Sequence, residues 1–250
     1  MIKKSVGCVA CAAVLAVLLA PCFAAAPVKI EKVAPAADLV LEAEAKIQSL
    51  EAALESNDTY LQGKKTQIPT DAGVLAVLAQ AIAESSEDSA LKKSAPALRD
   101  AAISVAQSTS FDAAKAGLAA VKEAHGGKAG TAKLDHEWNK LARLGKVMTE
   151  VQKRTGKIRK NVRKAPTDAN AASRDASVVA VLALAAHDDT HEVKDPAQVP
   201  KWKGFALEMQ TSMSAVAAGF KANDAAATKS AFEKAGKSCS ECHDAFREKE

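Results

Sequence analysis

The chain of 250 residues has little that could cross-link or stiffen it. Three of its five cysteines, Cys8, Cys11 and Cys22, lie in or beside an N-terminal leader-like stretch, so Cys239 and Cys242 are the only ones left for the body. A disulfide scaffold is thereby excluded. Aromatic residues make up 4%, and clusters of β-branched and aromatic residues of strand type are missing, which leaves no expectation of sheet. Beyond the leader no apolar run reaches the roughly 20 residues of a membrane span. The formal charge of +4 falls to +2 when Lys3 and Lys4 leave with the leader, too little to point to nucleic acid. No Ser/His/Asp set, glycine-rich phosphate loop or paired-carboxylate motif stands out, and the chain is not expected to be an enzyme.

What is present is alanine, in a chain that is 48% hydrophobic and 26% charged, as helices packed on one another require. At the N-terminus, Met1 to Lys4 give a positive region, Val6 to Leu19 a mostly small or apolar core, and Phe23-Ala24-Ala25-Ala26 a site for a leader peptidase. Residues 1–26 are therefore expected to be a cleaved signal peptide, with the mature protein in a bacterial periplasm. Pro21 is a poor neighbour for lipidation of Cys22, and the apolar core is short for an anchor.

The rest of the chain is internally repeated. Ile68-Pro69-Thr70-Asp71-Ala72-Gly73-Val74-Leu75-Ala76-Val77-Leu78-Ala79 returns as Ala165-Pro166-Thr167-Asp168-Ala169 and, after a seven-residue insertion, Ser177-Val178-Val179-Ala180-Val181-Leu182-Ala183. Each copy can be framed by the same order of helices, so the fold expected is all-α, two tandem four-helix bundles, over 27–127 and 128–250. In the first, helices are expected at about 36–61, from Thr70 or Asp71 onward, 89–108 with Pro96 as a possible break, and 111–124. Gly126-Gly127-Lys128-Ala129-Gly130 marks the boundary. In the second, a long helix is expected to carry Leu134, Trp138, Leu141, Gly145, Met148, Val151, Thr155, Ile158 and Val162 on its seam, and Lys153, Arg154, Lys157, Arg159, Lys160, Arg163 and Lys164 towards solvent. Those cations read as a solvated face, with docking of an acidic redox partner as the alternative. Helices at about 170–186, 201–220 and from 225 to the C-terminus complete the bundle.

The chemistry is concentrated in the last of these. Cys239-Ser240-Glu241-Cys242-His243 has two cysteines separated by two residues and followed directly by histidine. In that pattern two thiols add to the vinyl groups of a haem while the imidazole takes an axial position on its iron. A local disulfide, a thioredoxin-like pair and half a zinc site are the competing readings. Zinc lacks further cysteine ligands, and the redox pair lacks its βαβ setting. The first copy has His125 opposite Cys239 and cannot hold haem covalently.

The iron's second face decides what such a haem does. Met148 lies on the seam of the helix expected beside the last one and can serve as a thioether ligand; its other reading is a flexible core residue. Met213 is a lesser candidate ligand, and Met209 a pocket wall. Arg247 follows His243 by one helical turn and can lie beside the imidazole or reach a haem propionate, or simply be a surface arginine. Trp202, Phe205, Phe232 and Phe246 are residues to cover an apolar ring. His125, His136, His187 and His191 are expected to be solvent-facing.

A helical bundle ending in this motif, followed by Asp244, Ala245, Phe246 and Arg247, resembles the cytochrome c-prime family and its methionine-ligated low-spin relatives. The resemblance implies a bundle around one covalent c-type haem, with His243 proximal, Arg247 as the neighbouring basic residue and Met148 distal. It covers 131–250 and reaches 36–124 only through the repeat. Leu144 stands where the family often has a basic residue, and the resemblance implies a pseudo-dimer in which the first bundle replaces the partner subunit. The expected function is single-electron transfer to a periplasmic redox protein, with His243 and Met148 ligating the iron. Binding of nitric oxide or carbon monoxide at five-coordinate iron is the alternative, and a structural subunit with a vestigial haem is a third.

Overall fold

In a computed structural model, described over residues 26–247, the chain forms nine α-helices joined by turns and short 3-10 segments. Cys8, Cys11, Cys22 and, apart from Ala26, the expected signal peptide lie outside the described residues. The helices are α1 (Ala36–Ala53), α2 (Asn57–Gly63), α3 (Gln67–Glu84), α4 (Ala95–Gln107), α5 (Phe111–His125), α6 (Leu144–Arg163), α7 (Ala169–Asp188), α8 (Val199–Lys221) and α9 (Ala225–Phe246). No helix among the described residues is long and apolar enough to cross a membrane.

Two helical regions result. In the first, α3 packs on α1 and α4, and α4 on α5; in the second, α7 packs on α6 and α8, and α8 on α9. The central helices explain their position. From Asp71 to Ala83, α3 is buried on every side, as is α7 from Ala176 to His187. A helix apolar all round must be covered all round.

Several helix ends differ from the expectation. The first long helix stops at Ala53, and Ser56 starts α2 by exchanging hydrogen bonds with Thr59 in a capping box. Helix α3 begins at Gln67, ahead of Pro69. Proline is tolerated there because first-turn N–H groups have no intrahelical partner. Asp71 caps nothing; it is buried against Lys46. Pro96 opens α4 in the same way, at the helix start rather than as a break within it.

The largest shift is in the second bundle, whose first helix begins only at Leu144. The preceding segment is held to the first bundle instead. Arg99, 2% exposed, donates to the carbonyls of Lys133 and Leu134, and the Trp138 indole donates to Glu84. These bonds keep residues 133–138 extended across α3 and α4. Leu134 is consequently exposed, and the buried line of α6 is Leu144, Val147, Val151, Arg154 and Ile158. Arg154, expected in solvent, lies inside because Glu42, Glu150 and Asp175 surround it.

The repeat also needs no insertion. Asp71-Ala72-Gly73-Val74-Leu75-Ala76-Val77-Leu78-Ala79 lies along Asp175-Ala176-Ser177-Val178-Val179-Ala180-Val181-Leu182-Ala183 without a gap. Structure supports this register: Asp71 and Asp175 each bind a cation from the preceding long helix, Lys46 and Arg154 respectively. Continued backwards, it sets Ala43 on Val147, Ile47 on Val151 and Leu54 on Ile158, all buried.

The two bundles meet through α1, α3, α6 and α7. Residues 27–127 carry 14 acidic against 10 basic side chains, residues 128–250 carry 16 against 22. The ion pairs between them follow that difference: Glu42 binds Arg154 at 2.7 Å and Arg174 at 3.8 Å, and Asp38 binds Lys221 at 2.8 Å. One pair runs the other way, Lys46 to Glu150 at 2.9 Å.

Candidate functional site

Helix α9 starts at an Asp224 cap, whose carboxylate accepts from the Ala227 N–H, and continues without a break through the whole motif to Phe246. Three- and four-residue spacing puts Cys239, Cys242, His243 and Phe246 on one broad face. The cysteines are half-buried free thiols, and His243 is exposed. Burial pushes the Cys239 thiol up, and burial with Cys239 beside it pushes Cys242 up to about 11. Both are therefore neutral thiols at ordinary pH.

The walls come from helices packed around that end. A small apolar cluster of Leu144, Ala186 and Trp202 receives Met148, Val193, Cys242 and Phe246. Trp202 is oriented twice, by its indole N–H on the Ala186 carbonyl at 2.7 Å and by an edge-on contact with Phe246 at 5.2 Å. Phe205 meets Phe246 edge-on at 6.4 Å. The Met209 sulfur lies 3.7 Å from Cys239 Sγ, while Met213, 1% exposed, belongs to the core. Ser238 fixes α9 on α8 by donating to the Phe205 carbonyl.

Met148 is thus brought to the same apolar corner as Cys242, on the helix neighbouring α9. Arg247 caps α9 through its N–H on the His243 carbonyl, and its side chain is exposed. Phe232 packs on the core well up α9 from the motif. The cations Lys153, Lys157, Arg159, Lys160, Arg163 and Lys164 are exposed along the other half of α6. At 1.5 Å per residue that half lies roughly 8–24 Å along the helix from Met148.

Two histidines depart from the expectation. His187 is buried in the last turn of α7, its Nδ1 2.6 Å from Asp188. His136 is half-buried, with Nε2 enclosed and unpartnered; burial, then nearby Arg99, lowers its pKa. His191 is exposed as expected, and its bonded Asp189 raises its pKa. His125 is exposed too, 3.9 Å from Glu44.

Sequence reasoning missed the buried charges behind Met148. Lys46 Nζ sits 2.6 Å from Asp71 Oδ1 and 2.9 Å from Glu150 Oε1, and Ser49 donates to the second Asp71 oxygen at 2.7 Å. Burial would raise the Glu150 pKa, but Lys46 and Arg154 overcome it and hold the carboxyl below its usual range. The signal was legible as a lysine and a glutamate standing on otherwise apolar stripes, next to Ile47 and Val151.

These features bring two free thiols, an exposed imidazole and an apolar, partly aromatic wall to one end of a helical domain. Among the described residues no three His, Cys, Asp or Glu side chains converge on a metal point. Two thiols one turn apart on the helix of His243, beside aromatic walls, fit a haem as a donor set, with the chain supplying one nitrogen ligand from α9. Residues 141–247 match the Cytochrome C' family, all within the second bundle. That match associates this region with a haem cofactor, and proteins of that family are haem carriers that catalyse no reaction. No curated protein and no solved structure matches the chain.

Proposed function

We propose that the second bundle holds one c-type haem, tethered by Cys239 and Cys242 and ligated by His243, whose opposite iron face binds a small diatomic gas such as nitric oxide or carbon monoxide. The observation that carries this reading is the family match over 141–247, since the usual member leaves its sixth position to such ligands. It favours gas binding over the electron-carrier function expected from the sequence. When bound, haem supplies an iron that changes oxidation state by one electron and binds π-accepting ligands.

The chain's own residues do the rest. Cys239 and Cys242 would fix the ring to α9, Trp202 and Phe246 would shield it from water, and Leu144 and Met148, in the same apolar corner as Cys242, would supply the distal wall. Arg247 lies near enough to the imidazole in sequence to place a positive charge beside it. Burial of Met148 against the cluster that receives Cys242 favours a second reading, in which its sulfur is the sixth ligand and the protein carries electrons to a periplasmic partner.

The reduced spectrum separates the two. A broad high-spin spectrum that shifts with carbon monoxide supports the gas reading, and sharp low-spin bands unaffected by the gas overturn it in favour of Met148 ligation. Replacing Met148 with leucine then reports directly: it alters gas affinity in the first case and converts low-spin to high-spin haem in the second.

A further inference from the structure

We propose that the first bundle is a backstop for the distal wall of the haem site, and that Lys46 is the positioning residue through which it acts. The inference rests on the haem reading above and on the way α6 is sandwiched.

Each residue turns an α-helix by about 100°, so side chains two positions apart face roughly opposite ways. Lys146 and Glu150 therefore look away from Met148, which lies midway between them. Both are held by the first bundle. Glu150, 2% exposed, is bound to Lys46, which is itself locked on Asp71. The Lys146 ammonium donates to the Lys65 carbonyl at 2.7 Å. Just before them Ala142 touches α3 at Gly73, where an added Cβ would stand 2.9 Å from the Ala142 Cβ. Two attachments on one side of α6, at 146 and 150, and a third just before it at 142 thus fix the depth at which the other side presents Leu144 and Met148 to the corner that holds Cys242.

The pairing is too costly to be incidental. A lysine and two carboxylates have been desolvated where an apolar residue would pack, and such groups serve position better than net stability. In the first bundle the residue aligned with Met148 is Glu44, which reaches towards His125, the counterpart of Cys239. The first copy has no cysteine pair and presents to α6 the surface that sets its position.

The test uses the full chain and carbon monoxide as probe. Lys46→Met is expected to raise the carbon monoxide association rate of the reduced protein about five-fold, a change of the size carried by such networks, with covalent haem content and helicity unchanged. Lys46→Arg, which keeps a cation between Asp71 and Glu150, is expected to restore it. Lys146→Ala, at a solvent-exposed bond, gives a smaller change in the same direction and covers the case in which Lys46→Met does not fold. Lys221→Ala breaks another ion pair of the same interface, with Asp38, and leaves the rate unchanged. Equal effects of Lys221→Ala and Lys146→Ala, or a rate indifferent to both Lys46→Met and Lys146→Ala, overturn the proposal while leaving the haem reading intact. Absence of covalent haem from the unsubstituted protein overturns both.

Discussion

The two bundles share an order of helices and diverge at one end. In the first, α5 stops at His125, with Gly126 and Gly127 directly after it; in the second, α9 runs on for another two turns and those turns carry the haem motif. The lining differs to match. Leu98, wholly buried in the first bundle, aligns with Trp202, and Glu44 aligns with Met148. The first bundle has a shorter last helix, with a smaller core residue and a surface ion pair where the second has Trp202 and Met148. The faces through which the bundles meet were kept, and they acquired opposite charge. One half of the chain reads as chemistry and the other as its support.

The sharpest way to break that comparison is to remove the attachment chemistry. Cys239→Ser together with Cys242→Ser is expected to abolish covalent haem completely, read as loss of haem stain on a denaturing gel. Haem stain remaining on the chain would mean that Cys239 and Cys242 are not the points of attachment. The aligned position supplies the contrast, because His125→Ala is expected to leave haem content as it is.

Next in size is the difference between a buried and an exposed carboxylate on aligned helices. Glu150→Ala removes the shared partner of Lys46 and Arg154 and should cost about 3 kcal/mol in urea unfolding, the lower part of the range for breaking a buried pair, since Asp71, Glu42 and Asp175 still hold the cations. Glu44→Ala breaks a half-exposed pair with His125 and should cost about 0.5 kcal/mol or less. The pH dependence has a definite sign. The Glu150 pKa is lowered on folding, so its contribution is complete above its unfolded value of about 4.3 and disappears as pH falls through the folded one. Asp175 opposes this. Burial raises its pKa, so protonation of that group relieves a cost as pH drops. The Glu150→Ala chain should therefore show a shallower loss of stability below about pH 4.3 than the unsubstituted protein. An unchanged acid limb would take Glu150 out of the account.

How much of this was legible follows from which residues speak locally. Alanine-rich periodicity, the glycine break after α5 and the cysteine pair with its histidine carry their meaning in a few consecutive residues, and the all-α architecture could be read from them. Element ends depended on side chains far away. Nothing near Trp138 says that its indole will reach Glu84, or that Arg99 will hold the carbonyls of residues 133 and 134, and so α6 was expected to start about ten residues early. Arg154 was assigned to solvent because its neighbours Lys153 and Lys157 are there, whereas its three carboxylate partners come from α1, α6 and α7. Pro-Thr-Asp, present at 69–71 and again at 166–168, is a turn signature that recurs easily. The buried Asp-Ala-x-Val core of α3 and α7 is the better guide, because packing constrains it on every side.

Close approach of the bundles gives a smaller effect. Gly73→Ala adds a methyl group where Ala142 leaves no room, and the bundles must separate by a few tenths of an ångström. In a helix interior alanine is favoured over glycine by about 1 kcal/mol, against about 1–3 kcal/mol for overpacking. A net loss of about 1 kcal/mol is expected in chemical denaturation. Neutral or increased stability would mean that the α3–α6 contact is looser than it stands here.

The smallest effect belongs to the residue aligned with Gly73 in the other copy. Ser177 occupies the same place in α7, and its hydroxyl is buried with no hydrogen-bond partner. There the helix has accepted a side chain but left its polar atom unanswered, which costs about 1 kcal/mol or more in a buried setting. Ser177→Ala deletes only that oxygen and also improves helix propensity. It should raise stability by about 0.5–1 kcal/mol, visible as a higher urea midpoint with unchanged slope. The opposite signs of Gly73→Ala and Ser177→Ala, one methyl too many and one hydroxyl too many at aligned positions, test whether the two copies meet through equivalent but unequal surfaces. If both substitutions shift stability the same way, either the Gly73–Ala142 contact or the unanswered Ser177 hydroxyl does not carry the effect assigned to it.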